Sequence, residues 1–237
     1  MRILAIECSA KPCSVALIED DKILASAFTN VGLTHSQTLM PMVEDALKRS
    51  LIDIGDIEGF AVSAGPGSFT GIRIGISAVK GMAASRKVPC AEISTLRAMA
   101  ENYIDTDCIV CAVMDARCAQ VYNALFDVEN GEVKRLCDDR ALMCDDLKTE
   151  IENLSSNGKK IVIVGDGTDV FYPFVKDIPN VNLSHESRRY QNAVGIGFAA
   201  LDKFSQNDVK NPEDLLPVYL RLPQAERELK LKKEQKL

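Results

Sequence analysis

Two stretches of this chain begin alike, and that repetition limits the possible fold more than any other feature. "RILAIECS" (2–9), "CSVALIE" (13–19) and "KILASAF" (22–28) are short apolar runs split by "AKP" and "EDD", which predicts a three-strand meander. "CIVCAVMDARCAQVYNALFDV" (108–128) predicts two strands around a tight turn, and "GEVKRLC" (131–137) predicts a third. In each set the first strand ends on an acidic residue, Glu7 or Asp115, followed by a small residue and then the second strand.

Helical spacing follows both meanders. Between His35 and Ser50, Leu39, Val43, Ala46 and Leu47 recur with helical period, Met40 and Met42 widen the apolar face, and Pro41 is expected to kink the helix or lie near its start. "IEGFAVSA" (57–64) reads as a buried strand, "GPGSFTG" (65–71) as a turn, "IRIGISAVKGMAAS" (72–85) as a helix and "VPCAEIS" (88–94) as a strand. In the second half, "CDDLKTEIENL" (144–154), "TDVFYPFV" (168–175) and "QNAVGIGFAALDKF" (191–204) read as helices and "KKIVIVGD" (159–166) as a strand. The pattern predicts a duplicated α/β architecture with helices on mixed sheets. The boundary falls near 101–107, giving an N-terminal half, 1–103, and a C-terminal half, 104–237, whose tail "AERELKLKKEQKL" (225–237) reads as a final, frayed helix.

Bulk properties narrow the function. With 237 residues, 46% hydrophobic and 26% charged, the chain has an ordinary globular composition. A net charge of -6 repels a phosphate backbone, so nucleic acid is expected to be met through a local basic patch or a partner. The first apolar run is too short for a signal peptide and none reaches the ~18 residues of a membrane span, so the expected location is the cytoplasm. Most of the eight cysteines sit in apolar runs, as reduced core thiols do. Cys108 and Cys111 spell CxxC, but on a strand their sulfurs point to opposite faces, which argues against a zinc or redox pair.

Chemistry has few places to reside. "SAGPGSFTGIRIG" (63–75) lacks the lysine of a Walker loop, although its backbone amides stand at a helix start where an anion can bind; Ser68 or Thr70 capping that helix is the simpler use. Gly71, Gly75 and Ala78 form a small-residue stripe permitting close approach of a neighbour, within the chain or from another, and Ile72, Ile76 and Val79 can pack on a sheet. With only His35 and His185 no HExxH pair exists, and G-x-S-x-G is absent, so proteolysis has no machinery. His35 reads as a hydrogen-bonding residue at a helix start. A nucleotide site with magnesium would gather Glu7, Ser9, Gly65 and Asp115 around a cleft, the basis of an alternative reading as an autonomous ATP-dependent transferase or kinase.

"ILAIECSAKPCSVALIEDDKILA", "HSQTLMPMVEDAL", "SAGPGSFTGIRIGISAVKGMA", "MDARCAQVYNALF" and "LLPVYLR" together resemble the bacterial TsaB (YeaZ) family along nearly the whole chain. The resemblance implies an actin/hexokinase/Hsp70-like (ribonuclease H-like) ATPase fold with two βββαβα-type halves. It also implies a cytoplasmic, non-catalytic subunit in forming threonylcarbamoyladenosine beside the anticodon of tRNAs reading A-starting codons. The implied partners are the metal-dependent catalytic subunit TsaD, the ATP-hydrolysing TsaE and a second copy of the chain, with tRNA met through the complex and no membrane. No cofactor is required of this chain; ATP or ADP with magnesium belongs at the complex interface. Matching "VPCAEISTLRAM" to the catalytic relative puts Thr95 and Met99 where its metal histidines stand, and neither replaces them. Glu7-Cys8 departs from the Asp-Thr usual at the first turn. The partner surface implied lies on the first two helices, with His35, Leu39, Met40, Met42, Val43 and Leu47 on one and Thr70, Gly71, Ile72, Gly75, Ala78 and Val79 on the other. Such a surface buries about 1,600 Å².

Overall fold

The computed structural model describes residues 1–221, so the tail read as a final helix lies outside the described residues. Strands β1 (Arg2–Glu7), β2 (Cys13–Glu19) and β3 (Lys22–Thr29) form the expected meander. Helix α1 (His35–Ser50) follows, then β4 (Gly59–Gly65), α2 (Phe69–Ala84), β5 (Cys90–Ser94) and α3 (Thr95–Glu101). The second half repeats the plan with β6 (Cys108–Arg117), β7 (Gln120–Glu129), β8 (Glu132–Arg135), β9 (Arg140–Met143), α4 (Cys144–Ser155), β10 (Ile161–Val164), α5 (Thr168–Val175), β11 (Val181–Leu183), α6 (Glu186–Arg189) and α7 (Ala193–Ser205).

The duplication is topological. One sheet runs β3-β2-β1-β4-β5 and the other β8-β7-β6-β10-β11, with β9 added to β7. In both, the meander is antiparallel and the last two strands join in parallel, as a crossover through a helix requires. α1 continues through Pro41, which lies two turns in on the exposed side, so the expected position near the start is not the one found.

Strand alternation sorts the side chains into layers. Leu4, Ile6, Val15 and Leu17 face α1 and α2, whereas Ile3, Ala5, Ala16 and Ile18 face α7. In the second sheet Val110 and Ala112 face α3, and Ile109, Cys111 and Val113 face α4 and α5. Cys108 and Cys111 accordingly fall in different cores, as alternation requires. The layers run α1/α2, first sheet, α7 and α3, second sheet, α4/α5.

The two central helices cross over. α3, from the first half, packs on the second sheet through Leu96, Met99 and Ala100, joined by Tyr103 in the turn that follows it. α7, from the second half, packs on the first sheet through Ala193, Ile196, Ala199 and Ala200. The two meet where Gly195 leaves no room for a Cβ beside the Ala98 carbonyl. Ser94 and Asn192 cap these helices, accepting from the N–H groups of Arg97 and Gly195. Beyond α7 the chain returns to the first half: Lys210 bridges Cys90, Leu215 is fully buried in the α1/α2 core, and the Val218 N–H donates to the Ala64 carbonyl.

Candidate functional site

The glycine stretch first met in the sequence is used for close internal packing. Gly65 and Gly67 both have positive φ, and a Cβ would strike the Val218 carbonyl at Gly65 and the Ser9 carbonyl at Gly67. The Ser68 N–H donates to the Ser9 carbonyl at 2.6 Å while its hydroxyl caps α2 by accepting from Gly71. The turn therefore clamps the β1–β2 connection.

The small-residue stripe on α2 faces inward, correcting the expectation that it lies open to a partner. A Cβ on Gly71 would collide with the Cys8 carbonyl and stand 3.1 Å from His35 Nδ1. At Gly75 it would meet Val62 at 3.3 Å and Cys8 and Ile6 just beyond. Ile72 and Val79 on the same helix, and Leu39 and Val43 on α1, are buried in the core beneath. Met42, Leu47, Ala78 and His35 are half-buried, the His35 ring reaching the Pro12 carbonyl at 3.3 Å. Of the twelve positions the resemblance assigned to this surface, Met40 and Thr70 are exposed. Sequence spacing located the two helices, but helical period alone cannot distinguish a sheet from a partner as the close neighbour.

The outer faces hold different residues. Arg73, exposed on α2, lies 5.4 Å from the Phe69 ring centre and 5.7 Å from that of Tyr219, and its Nε donates to the Tyr219 hydroxyl at 2.8 Å. The Phe69 and Tyr219 rings stack at 3.9 Å, tying the returning chain to α2. A depression of about 460 Å³ beside them is lined by Phe69, Thr70, Arg73, Ile74 and Ser77.

A second candidate lies between the sheets. A cleft of about 490 Å³ is lined by residues that include Ser9, Gly67, Asp115, Arg117 and Asp166. Glu7, two residues before Ser9, is completely buried and does not line the cleft, and burial pushes its carboxyl up to about 7. One Glu7 oxygen accepts from the Ser9 N–H; the other, like the Ser9 hydroxyl, has no partner. Burial likewise raises Asp166 to about 6, against a 2.6 Å hydrogen bond from Gln191. Asp115 is exposed and accepts from the Arg117 N–H. Of the four predicted residues, Ser9 and Asp115 line the cleft, Glu7 is sealed from it, and Gly65 faces the Val218 carbonyl away from it. Asp166 was missed; its signal was the "GDG" at 165–167 that follows β10 as "GPG" at 65–67 ends β4.

The cleft leaves a magnesium nucleotide two carboxylates but few free donors. Glu7 is sealed from the cleft, and the Ser68 and Gly167 amides already donate to the carbonyls of Ser9 and Val113. Among the described residues no three His, Cys, Asp or Glu side chains converge, so Asp115 and Asp166 are the carboxylates that a magnesium-bound phosphate would meet in the cleft. No described helix is long and apolar enough to cross a membrane.

Comparison with known proteins agrees with the architecture. Residues 29–229 match the family model for TsaD, tRNA N6-adenosine threonylcarbamoyltransferase. The tRNA threonylcarbamoyladenosine biosynthesis protein TsaB of Bacillus subtilis is 29% identical over 226 residues, covering 95% of this chain and 96% of that one. TsaB of Buchnera aphidicola subsp. Schizaphis graminum is 31% identical over 212 residues, covering 78% of this chain and 95% of that one. The solved structure of YeaZ from Pseudomonas aeruginosa superposes with a TM-score of 0.76 at 25% identity, covering 92% of this chain and 99% of that one. The duplicated α/β fold expected from the sequence is thus the one observed, and YeaZ shares it. The chain belongs to the TsaB (YeaZ) family, and its role lies in tRNA threonylcarbamoyladenosine biosynthesis.

Proposed function

We propose that the chain is a non-catalytic, activating subunit that binds a TsaD-type catalytic partner through the outer faces of α1 and α2. The observation that carries this reading is the fate of the two positions matching the catalytic relative's metal histidines. Thr95 and Met99 are both fully buried, and Met99 fills the core under the second sheet. A side chain committed to a core cannot reach a substrate.

The surface has suitable chemistry for a partner. Met40 offers adaptable apolar contact, and Arg73 with Phe69 and Tyr219 combines residue types enriched at binding hot spots. The same face serves a second copy in the free protein, so that self-pairing and pairing with the catalytic subunit compete. TsaE joins as a third member, tRNA is met through the complex, and the protein works in the cytoplasm. ATP or ADP with magnesium belongs at the complex interface rather than in this chain's own cleft.

Reconstitution tests the reading. Product formation on tRNA should disappear when this chain is omitted and should be absent with this chain alone. Met40→Glu and Arg73→Glu should each weaken the complex with the TsaD-type subunit about tenfold or more, with the unfolding midpoint nearly unchanged. Product from the isolated chain, or full affinity in both variants, defeats the proposal.

A further inference from the structure

Cys8 and Cys13 face each other across the turn that joins β1 to β2. Glu7 pairs with Ser14 in the antiparallel ladder, so Cys8 and Cys13 occupy the next rung. Their sulfurs lie 3.8 Å apart, both are free thiols, and both belong to the core under α1 and α2. Opposed residues on such a ladder hold their Cβ atoms about 4.5–5.5 Å apart, and a disulfide needs about 3.5–4.5 Å. The two ranges meet, so the sulfurs can close to about 2.05 Å by side-chain rotation and a small approach of the strand ends.

The two thiols differ chemically. The hydrogen bond from the Cys8 thiol holds Cys13 below its ordinary value, against burial, and Thr38 of α1 adds to this. The same contact, together with burial, pushes Cys8 up. Cys13 is therefore the nucleophile of the pair and Cys8 the thiol that resolves it. Cys8 has no exposed surface and Cys13 keeps 2%, so a reagent reaches them when a covering element opens. The first turn of α1 is that cover, since Thr38 lies beside Cys13. Thr34 at its N-cap makes no side-chain capping bond, no acid stands in the turn, and Ser36 and Gln37 are exposed. A helix start held so weakly opens at low cost.

We propose that Cys8 and Cys13 are an oxidation site, converted to an intramolecular disulfide by a small hydroperoxide such as hydrogen peroxide. The Cys13 thiolate attacks one peroxide oxygen, the O–O bond breaks, and the departing hydroxide takes up the proton that left Cys13, giving water and a Cys13 sulfenic acid. The Cys8 sulfur then attacks the Cys13 sulfur, and the S–O bond breaks to release a second water that carries the Cys8 proton. Two thiols and one peroxide thus give one disulfide and two waters. The second step is internal and needs no further access. The inference is independent of the role proposed above, although the pair lies under the same two helices.

Hydrogen peroxide added to the reduced, folded full chain, followed by N-ethylmaleimide in denaturant, trypsin and mass spectrometry, tests it. The Lys11–Pro12 bond resists trypsin, so one peptide, 3–22, carries both cysteines and no other. In most molecules that peptide should be two hydrogens lighter and carry no maleimide, and dithiothreitol should restore both maleimide sites. Cys8→Ala should stop the closure and leave Cys13 as a sulfenic acid that dimedone traps, whereas Cys13→Ala should leave Cys8 reduced. If either variant misfolds, the peptide from the unaltered chain decides alone. The proposal is overturned if that peptide keeps both thiols at a dose that fully oxidises the exposed Cys118. It is equally overturned if either sulfur is found bonded to a different cysteine, or if the disulfide forms only after unfolding in urea.

Discussion

At the scale of single residues, Glu7 is the most consequential side chain, because a fully buried carboxyl ties stability to pH. Burial raises it to about 7 from an ordinary 4.5, and the nearby Asp166 charge adds to the shift. Over that interval the folded chain holds a proton that the unfolded chain has released. Folding is therefore favoured at the acid end, and stability falls as pH rises from 4.5 to about 7. Asp166, raised from 3.8 to about 6, contributes in the same direction over a lower window. Glu7→Gln keeps the acceptor for the Ser9 N–H and removes the titration. We expect it to stabilise the protein by on the order of 3 kcal/mol near pH 8 and by little near pH 4.5, measured by urea unfolding at both values. An equal effect at both would show that Glu7 titrates normally. The sequence identified an acid at the end of the first strand but not its burial. That burial depends on the turn clamped by Gly67, and the charge that adds to the shift comes from Asp166 in the other half, neither of which is local to Glu7.

The helices and strands differ in how openly the sequence announced them. α1 and α2 were legible because sixteen residues give helical period room to repeat, and α1 has the expected limits, His35 and Ser50. α3, with seven residues, and β9 and β11, with four and three, are too short to display a period, so tertiary contacts decide them. Spacing also misdirected the meaning of the α2 glycines. The helix-on-helix crossing that small residues permit occurs elsewhere, at Gly195 of α7 against Ala98 of α3. Two substitutions in α2 separate these roles. Gly71→Ala should cost about 2–3 kcal/mol, since the new methyl meets the Cys8 carbonyl, a backbone atom that cannot swing aside. Gly81→Ala, with open space around it, should stabilise the fold by about 0.5–1 kcal/mol through helix propensity. Urea unfolding of both variants reads the difference in sign, and a harmless Gly71→Ala would contradict the inward packing described here.

Over the whole molecule, duplication was legible because strand order, acidic strand ends and helix positions recur together, and no single motif had to be trusted. The exchange of α3 and α7 was not, since which sheet a helix joins is a long-range decision that local pattern does not encode. It has a measurable effect. A fragment 1–103 would expose Ile3, Ala5 and Ile18, which α7 covers, together with the apolar face of α3 that belongs on the second sheet. We expect that fragment alone to be aggregated or unfolded, and mixing with 104–237 to restore the circular dichroism of the intact chain. Calorimetry of the intact protein should show one transition, and two well-separated transitions would mean that the halves are thermally independent.

The interlaced pair also governs how the molecule can deform. A jaw hinged on a loose connector swings freely, but here each sheet grips a helix donated by the opposite half, and the two donated helices touch at Gly195. Widening or narrowing the gap between the sheets must therefore drag one helix along the other, a shearing slide limited to small steps by the fit of their side chains.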